Sequence, residues 1–207
     1  MPETPESILR AGLAELRLTL PAEAIRQLLE LAELVALWGA RINLTGDPSP
    51  ETVVRRLILD AAALDAVLPR SASLADLGSG AGFPGLPLAI LQPARAVVLV
   101  EARERRHHFQ RHAIRSLGIG NARALRGRFE DLAPVPCETV VAQAVAPPER
   151  LVEWMLRWTL PGGTLAVPGG TMAPSAERAA DLSSSEVRSY QAPLGGPTRS
   201  LWVARAR

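Results

Sequence analysis

The chain has 207 residues, 47% of them hydrophobic, and a formal net charge of +2, which fits one α/β domain with an appendage and argues against wholesale disorder. Cys137 is the sole cysteine, so an intramolecular disulfide and a cysteine zinc cluster are both excluded. No apolar run is long enough to cross a bilayer and no basic-then-apolar leader opens the sequence, so a cytoplasmic protein is expected.

Pro5 to Leu18 and Pro21 to Trp38 read as two helices, and Ile25, Leu28, Leu29, Leu31, Leu34, Val35 and Trp38 recur at helical spacing. Asp47-Pro48-Ser49-Pro50 is a loop, with Ser49 the expected N-cap and Pro50 the first helical residue of a third helix reaching about Leu68. Residues 1–68 thus form an N-terminal helical extension, and a second region occupies 69–207. There, strands and helices alternate. Strands are expected at Ser73–Ala75, Ala96–Val100, Ala122–Leu125, Thr139–Ala142 and Thr164–Val167. Helices are expected at Leu88–Leu91, Arg103–Leu117 and Pro147–Trp158, with a short one near residues 173–182. Leu160-Pro161-Gly162-Gly163 is a turn into the fifth strand, and Glu186–Tyr190 and Leu201–Ala204 close the sheet. This alternation predicts a mainly parallel sheet with helices on both faces.

The most informative segment is Asp76-Leu77-Gly78-Ser79-Gly80-Ala81-Gly82-Phe83-Pro84-Gly85-Leu86-Pro87, placed between the first strand and its helix. Glycines there let the backbone turn tightly and approach a ligand where a Cβ would clash. Glu101 ends the next strand, where a carboxylate can accept from both ribose hydroxyls of a nucleoside. Gly80, Gly82 and Gly85 satisfy the dinucleotide pattern G-x-G-x-x-G, a weak match by itself. Gly78, Gly80 and Gly82 with Asp76 satisfy D-x-G-x-G-x-G, the loop for S-adenosylmethionine (SAM). SAM is cationic and carries no phosphate, so an acid at the strand end favours it over a pyrophosphate.

Charge is distributed unevenly. All 23 basic residues are arginine. Residues 1–54 hold four of them against eight acids, whereas residues 95–128 hold nine against Glu101 and Glu104. A basic block beside a cofactor loop is what a nucleic-acid substrate requires, and a solvated helix face is the rival reading. Arg binds phosphates in a fork and stacks on bases. His107, His108 and His112 lie among these arginines, which would repel a metal, so surface or RNA-facing roles are expected and no metal is. Trp154 and Trp158, four residues apart on one helix, read as core rather than base-stacking, and Cys137 as structural. No nucleophile–base pair stands out, so no catalytic residue is assigned.

Several segments together resemble the bacterial 16S rRNA (guanine-N7) methyltransferases, the glucose-inhibited division protein B family, over nearly the whole chain. They are Trp38 with Asn43-Leu44-Thr45; Asp76 to Pro87 with its Gly-Phe-Pro-Gly; Glu101 followed by Arg105, Arg106 and Phe109; Leu117-Gly118-Ile119 to Asn121; Arg128-Phe129-Glu130; and Leu160-Pro161-Gly162-Gly163. The resemblance implies a Rossmann-like class I SAM-dependent sheet, mostly parallel with a closing antiparallel strand, in residues 69–207. It implies SAM held by Asp76, Gly78, Ser79, Gly80, Gly82, Phe83, Glu101 and Gln143, with the backbone of Phe129 and Glu130 framing the adenine. Arg41, Asn43, Arg105, Arg106 and Arg128 would then face RNA. The expected partner is 16S rRNA or the small ribosomal subunit, met by a monomer.

The chain departs from the family pattern at Gly39, at Leu57 and Ala61 around Asp60, at Gln143 in place of Arg, and at Pro168 in place of Lys. The glycine loop keeps the pattern while positions on the substrate side leave it. Guanine N7 has a free lone pair at neutral pH, so methyl transfer to it needs orientation rather than a general base. Two other readings stand beside this one. One is a divergent SAM-binding protein with lost or altered catalysis, acting as an RNA-binding or regulatory module. The other is a nicotinamide-dependent oxidoreductase.

Overall fold

The computed structural model describes residues 3–143, 148–169 and 180–207. Four helical segments precede the sheet: α1 (Pro5–Glu15), α2 (Ala22–Gly39), α3 (Pro50–Val53) and, after a π turn at Val54–Ile58, α4 (Leu59–Val67). Thr4 caps α1, its side chain accepting from Ser7 N while the Ser7 hydroxyl accepts from Thr4 N. Ser49 stands at the expected N-cap position of α3, but its side chain makes no capping hydrogen bond. Asp47 ties the loop to the helix start by other bonds, accepting from Ser49 N at 3.0 Å and from the Thr52 hydroxyl at 2.8 Å.

A seven-stranded sheet follows, built from β1 (Ser73–Leu77), β2 (Ala96–Glu101), β3 (Ala122–Arg126), β4 (Cys137–Ala142), β5 (Thr159–Pro168), β6 (Leu182–Gln191) and β7 (Thr198–Ala206). Helices α5 (Gly85–Leu91), α6 (Glu104–Ser116) and α7 (Pro148–Trp158) connect its parallel strands. The order is β3-β2-β1-β4-β5-β7-β6, with β1 to β5 parallel and β7 antiparallel to both neighbours. The order reverses between β1 and β4, and ligands of such sheets bind outside the strand carboxyl ends at that point.

Period-two alternation along the strands builds a core on each face. Leu74, Val97, Leu99, Val141, Ala166, Leu201 and Val203 join a cluster with α1 to α6. Their neighbours Ala75, Leu77, Val98, Val100, Val140, Ala142, Leu165 and Trp202 pack with α7 on the other side. The N-terminal helices therefore share the sheet's core, and α2 supplies Leu28, Leu31 and Val35 to it, all fully buried.

The predicted turn at Leu160–Gly163 lies within β5. Thr159 pairs with Cys137 and Thr164 with Thr139, so the intervening residues form a bulge, with Gly162 at φ 72°. The predicted helix near 173–182 falls outside the described residues up to 179, and its last residues are not helical: Ala180 and Asp181 form a turn and Leu182 opens β6.

Candidate cofactor and RNA site

The turn after β1 is latched to β2. Gly78 N and Ser79 N both donate to Val100 O, at 2.9 and 3.0 Å. Gly78, Gly80 and Gly82 all have positive φ, a region that side chains other than glycine's rarely adopt. Glu101, 6% exposed, receives Gly80 N on Oε2 at 2.9 Å and Arg103 N on Oε1 at 2.7 Å. Those bonds use about half of a carboxylate's lone-pair sites, leaving acceptor capacity for a ligand's hydroxyls. Outside the glycine turn, a Cβ built on Gly80 would meet only Arg106 Nη1, at 3.7 Å.

Asp76 is 1% exposed and lies beneath the turn. Its Oδ2 accepts from Gly85 N at 2.9 Å, and burial, together with the negative charge of Glu101, pushes its carboxyl up to about 7. The first amide of α5 is thereby taken by a carboxylate, and Pro87 in the same turn has no N–H to offer. A pyrophosphate would need those amides free, so this helix start does not suit a dinucleotide.

A cavity of about 540 Å³ opens at the strand ends, walled by Gly78 and Val100–Arg103, Arg106, Gly127–Glu130, Gln143, Arg150 and Trp154. Of the residues expected from sequence, the structure brings Gly78, Glu101, Arg106, Arg128, Phe129, Glu130 and Gln143 to this wall. Asp76, Ser79, Gly80, Gly82 and Phe83 shape the turn from behind. Arg41, Asn43 and Arg105 are exposed and lie off the wall. The Asn43 carbonyl accepts from Arg106 Nη2 at a long 3.5 Å, which brings the Asn43-Leu44-Thr45 segment against α6.

The Phe129-Glu130 segment is pinned from α7. Trp158 Nε1 donates to Phe129 O at 3.0 Å, and Arg157 Nη1 to Glu130 O at 2.6 Å. With both carbonyls engaged, this segment has its ring and its N–H side to present to a base. Trp158 is core as expected, at 0% exposure. Trp154 follows the sequence reading only in part, because it packs against the core on one side and lines the cavity on the other. Its ring meets Phe129 edge-on at 5.3 Å, and the Arg150 guanidinium lies 4.8 Å from its centroid.

Sequence reasoning also missed Arg103, Gly127 and Arg150 on the wall, and Gln110 under the glycine turn. Gly127, at φ 154° directly after β3, was the one with a readable signal. His107 is a correction: it is buried, with Nε2 3.4 Å from Ala124 O and desolvation holding its pKa low. His108 faces solvent near Glu104, and the His112 ring lies tilted against Trp38, 5.3 Å between centroids. Among the described residues no three His, Cys, Asp or Glu side chains group as a metal site. Among them, too, no helix is long and apolar enough to cross a membrane. One departure from the family pattern has a local cause: a Cβ on Gly39 would lie 2.5 Å from Pro48 Cβ, too close for any side chain while Pro48 stands there.

Comparison with known proteins agrees with this geometry. The profile of the GidB family, rRNA small subunit methyltransferase G, matches residues 24–194. Ribosomal RNA small subunit methyltransferase G of Chromohalobacter salexigens is 36% identical over 95% of this chain and 95% of its own length. That of an Azoarcus species is 35% identical over 90% and 87%. Among solved structures, a SAM-dependent methyltransferase from Aquifex aeolicus superposes with TM-score 0.55 at 16% identity, over 75% of this chain and 93% of that one. TYW2 of M. jannaschii in complex with AdoMet superposes with TM-score 0.59 at 14% identity, over 81% and 80%. These two likenesses concern the fold.

Proposed function

Because the chain belongs to the GidB family of rRNA small subunit methyltransferase G, we propose that it transfers a methyl group from SAM to guanine N7 in 16S rRNA. The observation that carries this reading is the pairing of two features in one cavity. Gly78 and Glu101, onto which the glycine turn closes, line it on one side, and Arg103, Arg106, Arg128 and Arg150 also stand on its wall. The partner is 16S rRNA or the small-subunit particle, met in the cytoplasm by a monomer.

The donor set suits SAM. Glu101 keeps acceptor sites for ribose hydroxyls, the turn of Gly78–Gly80 admits close backbone approach, and the Phe129 and Trp154 rings give an apolar wall for a base. When bound, SAM supplies a methyl group on a positively charged sulfur, already activated toward displacement. The protein's residues then have to orient and exclude water rather than move a proton. The titratable groups among the described wall residues are Glu101, Glu130 and arginines, in keeping with an acceptor whose lone pair is free at neutral pH. Arg106 and Arg128, with Arg41, Asn43 and Arg105 outside the wall, are proposed to hold RNA phosphates at the mouth. Gln143 contributes a neutral amide there.

Incubation of the protein with 16S rRNA or small-subunit particles and methyl-labelled SAM tests the proposal. Label in guanine, released as 7-methylguanine, is the expected result. Binding of SAM and RNA without transfer would mean a binding module instead, and binding of NAD in place of SAM would end the cofactor reading.

A further inference from the structure

We propose that Gln110 is a positioning residue that holds the glycine turn in its cofactor-binding shape; this rests on the SAM reading of the site. Gln110 lies on α6, one turn after Arg106, and is fully buried. Its Nε2 donates to Ser79 Oγ at 2.8 Å and to Gly80 O at 2.7 Å. Ser79 Oγ in turn donates to Val100 O at 3.2 Å. Its own Oε1 is buried and has no partner.

That orphan oxygen is the telling detail. A buried acceptor without a donor is unfavourable, and an apolar side chain of similar volume would avoid it. Packing alone therefore gives no reason for an amide here. What the amide does supply is two N–H donors to a turn that is poor in side chains of its own. Gly80 ends up held from both sides, its N by Glu101 Oε2 at 2.9 Å and its carbonyl by Gln110. Both peptides flanking Gly80 are thus fixed before a ligand arrives. Glycine segments lose the most freedom on ordering. Ordering this one during folding removes that cost from cofactor binding. The same helix carries Arg106 to the cavity wall one turn earlier, so α6 grips the turn with one residue and faces the ligand space with another.

The test uses the full chain and titration calorimetry with SAM. Gln110→Leu removes both donors and the orphan acceptor together. The dissociation constant for SAM should rise about 5–30-fold, as expected for two neutral hydrogen bonds, while the cofactor-free melting temperature stays within ~3 °C of the parent. Gln110→Glu keeps the shape and adds a readout that a packing role would not move. Its carboxylate opposes the Gly80 carbonyl oxygen, whereas the protonated acid can donate to it. Burial raises such a carboxyl above its ordinary value. The affinity of Gln110→Glu relative to the parent should therefore recover between pH 8 and about 5.5, while the Gln110→Leu ratio stays flat. Asp76 on β1, Glu101 on β2 and Arg106, His107 and Arg111 on α6 are the other charged or titratable groups of β1, β2 and this stretch of α6, and their own titration is shared by the parent and by Gln110→Leu, whose flat ratio is the control for it. Unchanged affinity in Gln110→Leu, a loss matched by lowered cofactor-free stability, or a flat Gln110→Glu ratio would each overturn the role of Gln110. A parent chain that fails to bind SAM would overturn the cofactor reading and this inference with it.

Discussion

Asp76 offers the sharpest physical test of the site. Its carboxyl is 1% exposed and sits at about 7 in the folded protein, against about 3.9 in an unfolded chain. Well below about pH 3 both states are protonated and the residue costs nothing. Between about 4 and 7 the folded protein keeps a proton that the unfolded chain has released, so stability falls as pH rises. Above about 7 both states are ionised and the full penalty stands. A carboxyl held that far above its ordinary value costs at most about 4 kcal/mol, reduced by whatever relaxation the site allows. Asp76→Asn removes the titration while its amide oxygen can still accept from Gly85 N. Any constant cost of the new amide cancels when one variant is compared with itself at two pH values. The stability of Asp76→Asn minus that of the parent should thus grow by about 1–3 kcal/mol from pH 5 to pH 8. Urea melts of both proteins without SAM at pH 5, 6, 7 and 8 would measure it. A difference independent of pH would refute the claim that this carboxyl is buried at the expense of its charge.

Further outcomes follow from the same geometry. A Cβ on Gly85 would stand 2.8 Å from Asp76 Oδ2 and 2.9 Å from Leu99 Cδ2, so Gly85→Ala should cost about 2–4 kcal/mol by overpacking and a displaced hydrogen bond. Gly46→Ala, with nothing within 4 Å, is the control and should stay within about 0.5 kcal/mol on thermal melting. Arg106→Ala and Arg128→Ala should each lower the salt slope of RNA binding by about 0.7–0.9, as one lost phosphate contact; unchanged affinity and slope in Arg105→Ala and Arg106→Ala would leave the outer face of α6 merely solvated. Gln143→Arg, at an exposed position on the cavity wall, should tighten SAM or RNA binding by up to about tenfold, because a charge-assisted bond replaces a neutral one; weaker binding and slower transfer together would mean the site is built around Gln143.

The strand–helix alternation was legible because buried parallel strands read as short apolar runs between glycine turns. Ala96–Val100 and Thr139–Ala142 are such runs, and each lies within the observed strand. Glu101 could be placed at a strand end because the apolar run stops there. The π turn at Val54–Ile58 had no signal, since Val53, Val54, Ile58 and Leu59 satisfy ordinary helical spacing equally well. Trp154 and Trp158 show the limit of periodicity. The stripe of Leu151, Val152, Met155 and Trp158 is buried, but spacing does not say which edge of a stripe borders a cavity. Gln110 and His107 sit in a run of charged and polar residues that reads as a solvated face, and their burial becomes visible only through Ser79, Gly80 and Ala124. These partners lie 31, 30 and 17 residues away in sequence, so no local pattern could supply them.

The order acid, glycines, acid has an electrostatic meaning that the fold makes explicit. Parallel strands β1 and β2 are adjacent, so Asp76 and Glu101, 25 positions apart in the chain, come to the same end of the sheet on either side of the turn. Each carboxylate is buried, and the charge of Glu101 adds to the pressure that keeps Asp76 protonated. A ligand bearing phosphates would worsen that repulsion, and it would also find Gly85 N already committed to Asp76. A cation relieves it, because a positive charge near the turn favours the ionised form of Asp76. The arginines gather instead on the outer wall, at Arg103, Arg106, Arg128 and Arg150. The cavity is thus acidic beneath the turn and basic at its wall, an arrangement that sorts a cationic methyl donor inward and a polyanionic acceptor outward.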